Sequence, residues 1–305
     1  ETKMLEMNKK LVLILNPRAG MKRANRFLAE MLGVFEDAGY CCTTLVTRAG
    51  GDARDFVTQY GEEADLVVCI GGDGTLNEVV DGMVKNGFTA RIGYIPAGST
   101  NDFGASMGLS HDIMRCARDI VSGRAQTLDV CSFNGRYYSY VASCGAFTNV
   151  CYSTSQSVKN VLGHLAYILQ GVKDLSQIRP IPMHITTEEG REFTGEYLLA
   201  AFSNATSIAG VLEMDKDTVD MNDGLFEVLL VEAPDNMQEL GRIIYSLLTQ
   251  QYNAPFLHFC ATRSVTIEMD AAVDWTLDGE YEKGASHIKI CNVPDAIRVM
   301  VPEKK

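Results

Sequence analysis

The chain reads as a two-domain protein: an N-terminal doubly wound α/β domain over residues 1–126 and a mainly antiparallel β-sandwich domain over 127–294. Three observations predict this. Before residue 126, near-continuous apolar, β-branched runs alternate with helical stretches, as in a parallel sheet covered on both faces. After it come shorter alternating strands separated by turn residues. The length of 305 residues suits two domains of ordinary size, and 46% apolar with 22% charged residues is the composition of a folded globular protein.

In the first domain, Leu11 to Leu15, Tyr40 to Val46, Leu66 to Ile70 and Ile92 to Ile95 are the expected strands, with helices over 21–38, 52–60, 75–86 and 111–122. In the second, strands are expected at 127–133 and 137–143 around Asn134-Gly135, and at 181–187 and 192–203 around Glu188-Glu189-Gly190. Further strands fall at 225–232, 261–268, 272–277 and 286–291, with helical interruptions near 156–174 and 235–249.

Composition excludes several functions. A net charge of -12 argues against a nucleic-acid partner, because that binding depends on neutralising phosphates with Lys and Arg. Nine cysteines with no CxxC pair read as reduced packing residues, and five scattered histidines offer no HxxxH zinc pair. No apolar run approaches the ~20 residues of a spanning helix, and the N-terminal stretch lacks the apolar core of a signal peptide, so a cytoplasmic protein is expected.

In a doubly wound sheet, ligands bind outside the carboxyl ends of the strands. Three expected strands end there in loops rich in glycine or small hydroxyl residues. The first is Asn16-Pro17-Arg18-Ala19-Gly20, opening onto Lys22, Arg23 and Arg26. The others are Gly71-Gly72-Asp73-Gly74-Thr75 and Pro96-Ala97-Gly98-Ser99-Thr100-Asn101-Asp102. Each loop alone is an ordinary βα turn. Three on one edge point to a phosphate-bearing ligand. A Walker loop is excluded because Gly74-Thr75-Leu76 has no lysine, and a dinucleotide fingerprint because its third glycine position holds Asn77. The acid among the glycines becomes sensible if a divalent cation stands between it and the phosphates. Asp73 and Asp102 would then share one Mg²⁺ through water, the metal of a nucleoside triphosphate. The first domain is therefore read as nucleotide-binding.

The second domain adds Asp223-Gly224 before a strand and Asp278-Gly279-Glu280 after one. Asp-Gly is also an ordinary hairpin signal, and for Asp223 that reading stays open. In the second motif, one carboxylate can reach a substrate while the other faces a metal, and phosphoryl transfer to a hydroxyl needs a proton acceptor.

The stretches NPRAG, TRAGGDA, GGDGTLNEVV, PAGSTNDF, NDGLFEV and LDGE, in this order, resemble the bacterial diacylglycerol kinases and related lipid kinases over nearly the whole chain. GGDGT alone is shared with NAD kinases and phosphofructokinases. The resemblance implies an ATP- and Mg-dependent kinase acting on a lipid hydroxyl, most simply diacylglycerol, in a protein that is cytoplasmic and peripheral to the membrane, with the active site in the cleft between a nucleotide-binding domain and a β-sandwich domain. It implies nucleotide contacts at Asn16, Pro17, Arg18, Ala19, Gly20, Thr47, Gly71, Gly72, Asp73, Gly74, Thr75, Leu76, Asn77 and Ser99, the last standing where many members have threonine. Asp73, Asp102 and Glu280 would form the catalytic metal network, with Glu280 or Asp278 as proton acceptor. Asp223 would hold a structural Mg²⁺ with the carbonyls of Asp220 and Leu225. In several members the tail returns to the first domain, which would place 295–305 there, and members are often homodimers. Two alternatives stay open: a kinase of a soluble hydroxyl substrate such as NAD, and a non-catalytic lipid or nucleotide sensor on the same scaffold.

Overall fold

In the computed structural model, the described residues are 9–19, 25–98, 101–145, 169–170, 179–204, 222–249, 254–269 and 273–303. The chain divides into two compact units, residues 1–128 with 295–305, and 129–294.

The first unit is built on the parallel strands β1 (Lys9–Leu15), β2 (Tyr40–Val46), β3 (Leu66–Gly71) and β4 (Arg91–Pro96). Their order is β4-β3-β1-β2, with Leu11 opposite both Leu66 and Cys42. Every residue of β3 is buried, as a central strand covered on both faces requires. One face, with Leu11, Leu13, Val68 and Ile70, packs against Met31 and Phe35 of α1 (Leu28–Asp37) and Ala117 and Ile120 of α5 (Ile113–Ser122). Helices α2 (Asp52–Tyr60) and α3 (Asp73–Asn86) pack on each other, and Gly82 permits it, since a Cβ there would lie 3.0 Å from Val57. The short helix α4 (Asp102–Ser106) follows β4. Helix α5 starts at Asp112, whose side chain accepts the Arg115 N–H at 2.7 Å as an N-cap.

The second unit is antiparallel. Its strands include β8 (Ile181–Thr187), β9 (Glu192–Ser203), β10 (Phe226–Glu232), β11 (Leu257–Thr262) and β12 (Ser264–Met269). Strand β9 pairs with β8, β10 and β7 (Val141–Gly145). The core on one side of this sheet is aromatic: Trp275 stacks at 5.0 Å from Phe133 and 5.8 Å from Phe202. On the other side, Leu240, Ile243 and Leu247 of α6 (Met237–Thr249) pack with Leu199, Leu229 and Val231. Strands β5 (Arg124–Phe133) and β15 (His287–Val301) each run across the boundary between the units, and in the first unit Arg298 and Val299 of β15 pair in parallel with Arg91 and Ile92.

Several expected elements differ in detail. The strand expected over 137–143 is two, β6 (Arg136–Tyr138) and β7, because the amides of Ser139 and Tyr140 turn to a carboxylate, which the Val141 N–H at the start of β7 also meets. The strand expected over 261–268 is split at Arg263 into β11 and β12, whose partners are different strands. Helix α1 begins at Leu28 after a 3₁₀ turn over 25–27, and residues 21–24 lie outside the described part. The helix expected over 156–174 falls almost wholly outside it too. The strand expected over 272–277 is shorter, β13 (Trp275–Leu277), and is followed by β14 (Glu280–Glu282).

Candidate active site

The three glycine-rich loops of the first unit are tied into one surface by their own polar groups. Asn16, just past β1, donates its backbone N–H to the Ile70 carbonyl at 2.9 Å and its Nδ2 to Thr75 Oγ1 at 3.0 Å, while its Oδ1 accepts the Arg18 N–H at 3.0 Å. Thr75 is buried against Gly71, where a Cβ would lie 2.6 Å from the threonine hydroxyl. The third loop is pinned by Asn101, which adopts a left-handed backbone (φ 56°) and exchanges two 2.8 Å hydrogen bonds with the Gly98 amide and carbonyl. Tyr94 Oη donates at 3.3 Å toward both Gly71 O and Asn101 Oδ1, and the Ala97 N–H donates to Gly71 O at 2.8 Å. Gly98 and Gly72 touch backbone to backbone: a Cβ on Gly98 would lie 2.6 Å from Gly72 Cα.

No side chain caps α3 at Gly72, and the Leu76 N–H donates to Gly72 O at 3.1 Å. The opening N–H groups of such a helix, backed by its dipole, suit an anion. The side chains of Leu76 and Asn77 are buried and Arg18 is exposed. Thr47 is buried at the end of β2, its N–H donating to Leu15 O at 3.0 Å. Glu78 is a residue that sequence reasoning missed. From the second turn of α3, its carboxylate accepts the Gly51 and Ala53 N–H groups at 2.7 and 3.0 Å, so the start of α2 is already occupied. A glutamate in a helical motif gives no sign of this reach of 27 residues.

Asp73 lies at the first position of α3, and its Oδ1 accepts the Phe103 N–H at 3.3 Å. Since Asp102 opens α4, this contact brings the two acid-bearing segments together. The Asp73 carboxylate at this helix start is a hard oxygen donor of the kind that fits Mg²⁺, which takes one or two carboxylates and keeps waters for the rest. The Asp102 side chain, Ser99, Gly20, Lys22 and Arg23 lie outside the described residues.

In the second unit, β13 and β14 form a hairpin whose two-residue turn is Asp278-Gly279, with φ of 49° and 86° and Leu277 opposite Glu280. Glu280 is exposed. The Asp278 carboxylate accepts the N–H groups of Ser139, Tyr140 and Val141 at 2.8 to 2.9 Å and the Ser139 hydroxyl at 3.0 Å. Asp223 is exposed and its Oδ1 accepts the Leu225 N–H at 2.9 Å, while the Leu225 carbonyl accepts Asn292 Nδ2 at 3.0 Å. The adjacent Gly224 N–H donates to buried Asp129 at 2.8 Å, a second carboxylate in this turn that the sequence did not single out. Asp220 lies outside the described residues. Among the described residues no group of three or more His, Cys, Asp or Glu side chains converges as a metal site, and no helix is long and apolar enough to cross a membrane.

Residues 10–133 match the diacylglycerol kinase catalytic domain, and residues 141–301 match the YegS C-terminal NAD kinase beta sandwich-like domain. The chain is 31% identical over 300 residues to a diacylglycerol kinase of Bacillus subtilis (strain 168), covering 97% of this chain and 98% of the relative. It is 31% identical over 299 residues to one of Staphylococcus carnosus (strain TM300), covering 97% and 96%. A solved diacylglycerol kinase structure from Bacillus anthracis str. Sterne aligns with a TM-score of 0.72 at 19% identity over 96% of each chain, a likeness of fold. With both halves of the chain matched and relatives at 31% identity over 97% of it, the protein is a kinase and belongs to the diacylglycerol kinase family.

Proposed function

We propose that the protein transfers the γ-phosphoryl group of ATP to the hydroxyl of a membrane lipid, with diacylglycerol as acceptor and phosphatidic acid as product. The observation that carries the reading is the joined loop surface of the first unit. Asn16, Thr75 and Asn101 hold three loops together, and the Gly72–Gly98 contact brings two backbones close beside an uncapped helix start. A polyphosphate needs such a set of amides, held before it arrives, because phosphoryl transfer depends mainly on positioning and charge stabilisation. Asp73 and Asp102 would hold Mg²⁺, which when bound neutralises charge on the phosphates. Asp223 would hold a second, structural Mg²⁺. The second unit supplies the lipid-binding part and the proton acceptor. In the reaction, the lipid oxygen forms a bond to the γ-phosphorus as the bond to the β,γ-bridging oxygen breaks. The hydroxyl proton passes to the Glu280 carboxylate, and ADP leaves.

The test is transfer of labelled phosphate from ATP to diacylglycerol in mixed micelles, with NAD as a parallel acceptor. Lipid labelling is expected and NAD labelling is not. Asp73→Asn should raise the Mg²⁺ requirement and lower turnover, and Glu280→Gln should lower kcat by about 10² to 10⁴-fold. Labelling of NAD but not lipid, or full activity of both variants, would overturn the assignment.

A further inference from the structure

We infer that Asp278 is a positioning residue: it clamps the hairpin turn that carries Glu280, by filling a nest of three successive backbone amides at 139–141. The inference rests on the reading of Glu280 as proton acceptor and adds what holds that residue in place.

An ionised carboxylate has about four lone-pair sites, two on each oxygen. Asp278 Oδ2 takes the Ser139 N–H at 2.8 Å and the Ser139 hydroxyl at 3.0 Å, and Oδ1 takes the Tyr140 and Val141 N–H groups at 2.8 and 2.9 Å. These four donors fill those sites. To accept a proton from a substrate hydroxyl, Asp278 would have to release one of them and leave a part-buried amide without its acceptor. Glu280, two residues on, is exposed on the other side of the turn.

The clamp is needed because the hairpin is small. Strands β13 and β14 have three residues each, and β14 lies at the end of the strand order, paired to β13. A hairpin of this length is marginal by itself. A slip of one residue would send Glu280 to the opposite face. Buried Trp275 and Leu277 anchor β13, and Arg136 binds the Tyr281 carbonyl and the Glu282 carboxylate on β14. The turn between them is fixed by Asp278: its side chain holds the 139–141 amides while its own N–H donates to Val141 O at 2.8 Å. The 139–141 segment is itself secured, since the Tyr140 carbonyl accepts the Asn204 N–H and the Ser203 hydroxyl, both at 3.0 Å. The interruption between β6 and β7 thus has a purpose: its two amides, with that of Val141 at the start of β7, form a cradle for one carboxylate.

The experiment compares Asp278→Asn, Ser139→Ala and Glu280→Gln in the full-length protein. Asparagine keeps one acceptor oxygen but turns an NH₂ toward the Ser139 N–H, and Ser139→Ala removes only the hydroxyl donor. Amide hydrogen exchange is measured without substrate, and kcat, KM for ATP and the pH profile of kcat with ATP and diacylglycerol micelles. For Asp278→Asn we expect exchange at 139–141 to rise at least about tenfold and kcat to fall about 10- to 10²-fold, the scale of a misplacement near 1 Å. KM for ATP should stay within twofold, and the acid limb of the pH profile should keep its midpoint. Ser139→Ala should lower kcat a few-fold in the same pattern, and Glu280→Gln should abolish the acid limb. Wild-type exchange and kcat in Asp278→Asn would overturn the clamp, as would loss of the acid limb in that variant, which would make Asp278 itself the base. Should Asp278→Asn fail to fold, wild-type kcat in Ser139→Ala overturns the proposal. A fully active Glu280→Gln sinks the assignment of the proton acceptor, while the exchange data still decide whether the clamp exists.

Discussion

The contact between Gly98 and Gly72 can be perturbed by a single methyl group. In Gly98→Ala the new Cβ would lie 2.6 Å from Gly72 Cα and 2.8 Å from Asn101 Oδ1, against an ordinary contact that begins near 3.4 Å, so the two backbones must part by about 0.8 Å. Neither neighbour is the far end of a flexible side chain. Gly72 Cα is backbone, and Asn101 is held by both of its bonds to Gly98. Overpacking of this kind costs about 1–3 kcal/mol of stability. The larger effect should be on turnover, because a shift near 1 Å in groups that position a reacting phosphate can cost about 10²-fold. We therefore expect Gly98→Ala to melt a few degrees lower yet stay folded, and to turn over about 10²-fold more slowly in the ATP-to-diacylglycerol assay. Gly33→Ala is the control: Gly33 lies inside α1, a Cβ there would have nothing within 4 Å, and alanine should add about 0.5–1 kcal/mol with kcat unchanged. A Gly98→Ala enzyme with wild-type kcat and melting temperature would show that the two loops can yield without consequence, and the idea of a tightly set phosphate cradle would fail.

Three further outcomes are expected. Burial holds the thiols of Cys69, Cys131 and Cys144 far above their ordinary range and pushes Cys116 up to about 11. Iodoacetamide at pH 8 should modify exposed Cys41 and spare Cys69, Cys131 and Cys144 until urea is added. The unfolded chain releases these protons from about pH 9 while the folded chain keeps them, so the urea midpoint should fall as pH rises above that value; a flat profile to pH 10.5 refutes the assignment. Asp223→Ala should lower the melting temperature in Mg²⁺ and flatten its dependence on Mg²⁺, and identical melting at every Mg²⁺ concentration would remove the cation from that turn.

The four parallel strands and the longer helices of the first unit were legible, though not the short α4, because its strands are continuous apolar runs and its longer helices carry 3.6-residue apolar spacing, signals that each segment holds within itself. Strand β3, buried along its whole length, is the plainest instance. What stayed hidden was the choice of partner. Asn16 and Thr75 are 59 residues apart, and no local pattern says that the amide of one meets the hydroxyl of the other. The break between β6 and β7 was unreadable for the same reason. Residues 137–143 look like one strand until an acid 137 to 139 residues away draws off its central amides. The split at Arg263 likewise follows from the company each half keeps, β11 pairing with β10 and β12 with β8 and β15.

The Asp-Gly steps of this chain carry that argument furthest. There are four, and as dipeptides they are identical. Asp73-Gly74 opens α3, with Asp73 accepting the Phe103 N–H; Asp81-Gly82 lies inside the same helix, where Asp81 is buried against Arg54 at 2.8 Å. Asp223-Gly224 has its glycine at φ 76° and its aspartate capping its own turn through the Leu225 N–H. Only Asp278-Gly279 takes positive φ at both residues and makes the two-residue hairpin that the dipeptide usually signals. The backbone options are local, since aspartate and glycine tolerate several conformations. The option adopted follows from where the carboxylate finds its partners: an amide across a loop contact, a guanidinium ion pair on a packed helix, its own next turn, or a nest in a broken strand. Sequence reading nominated Asp73, Asp223 and Asp278 and passed over Asp81, and only the partners separate an acid that meets a neighbouring loop from one that fills a nest of amides beside a hairpin.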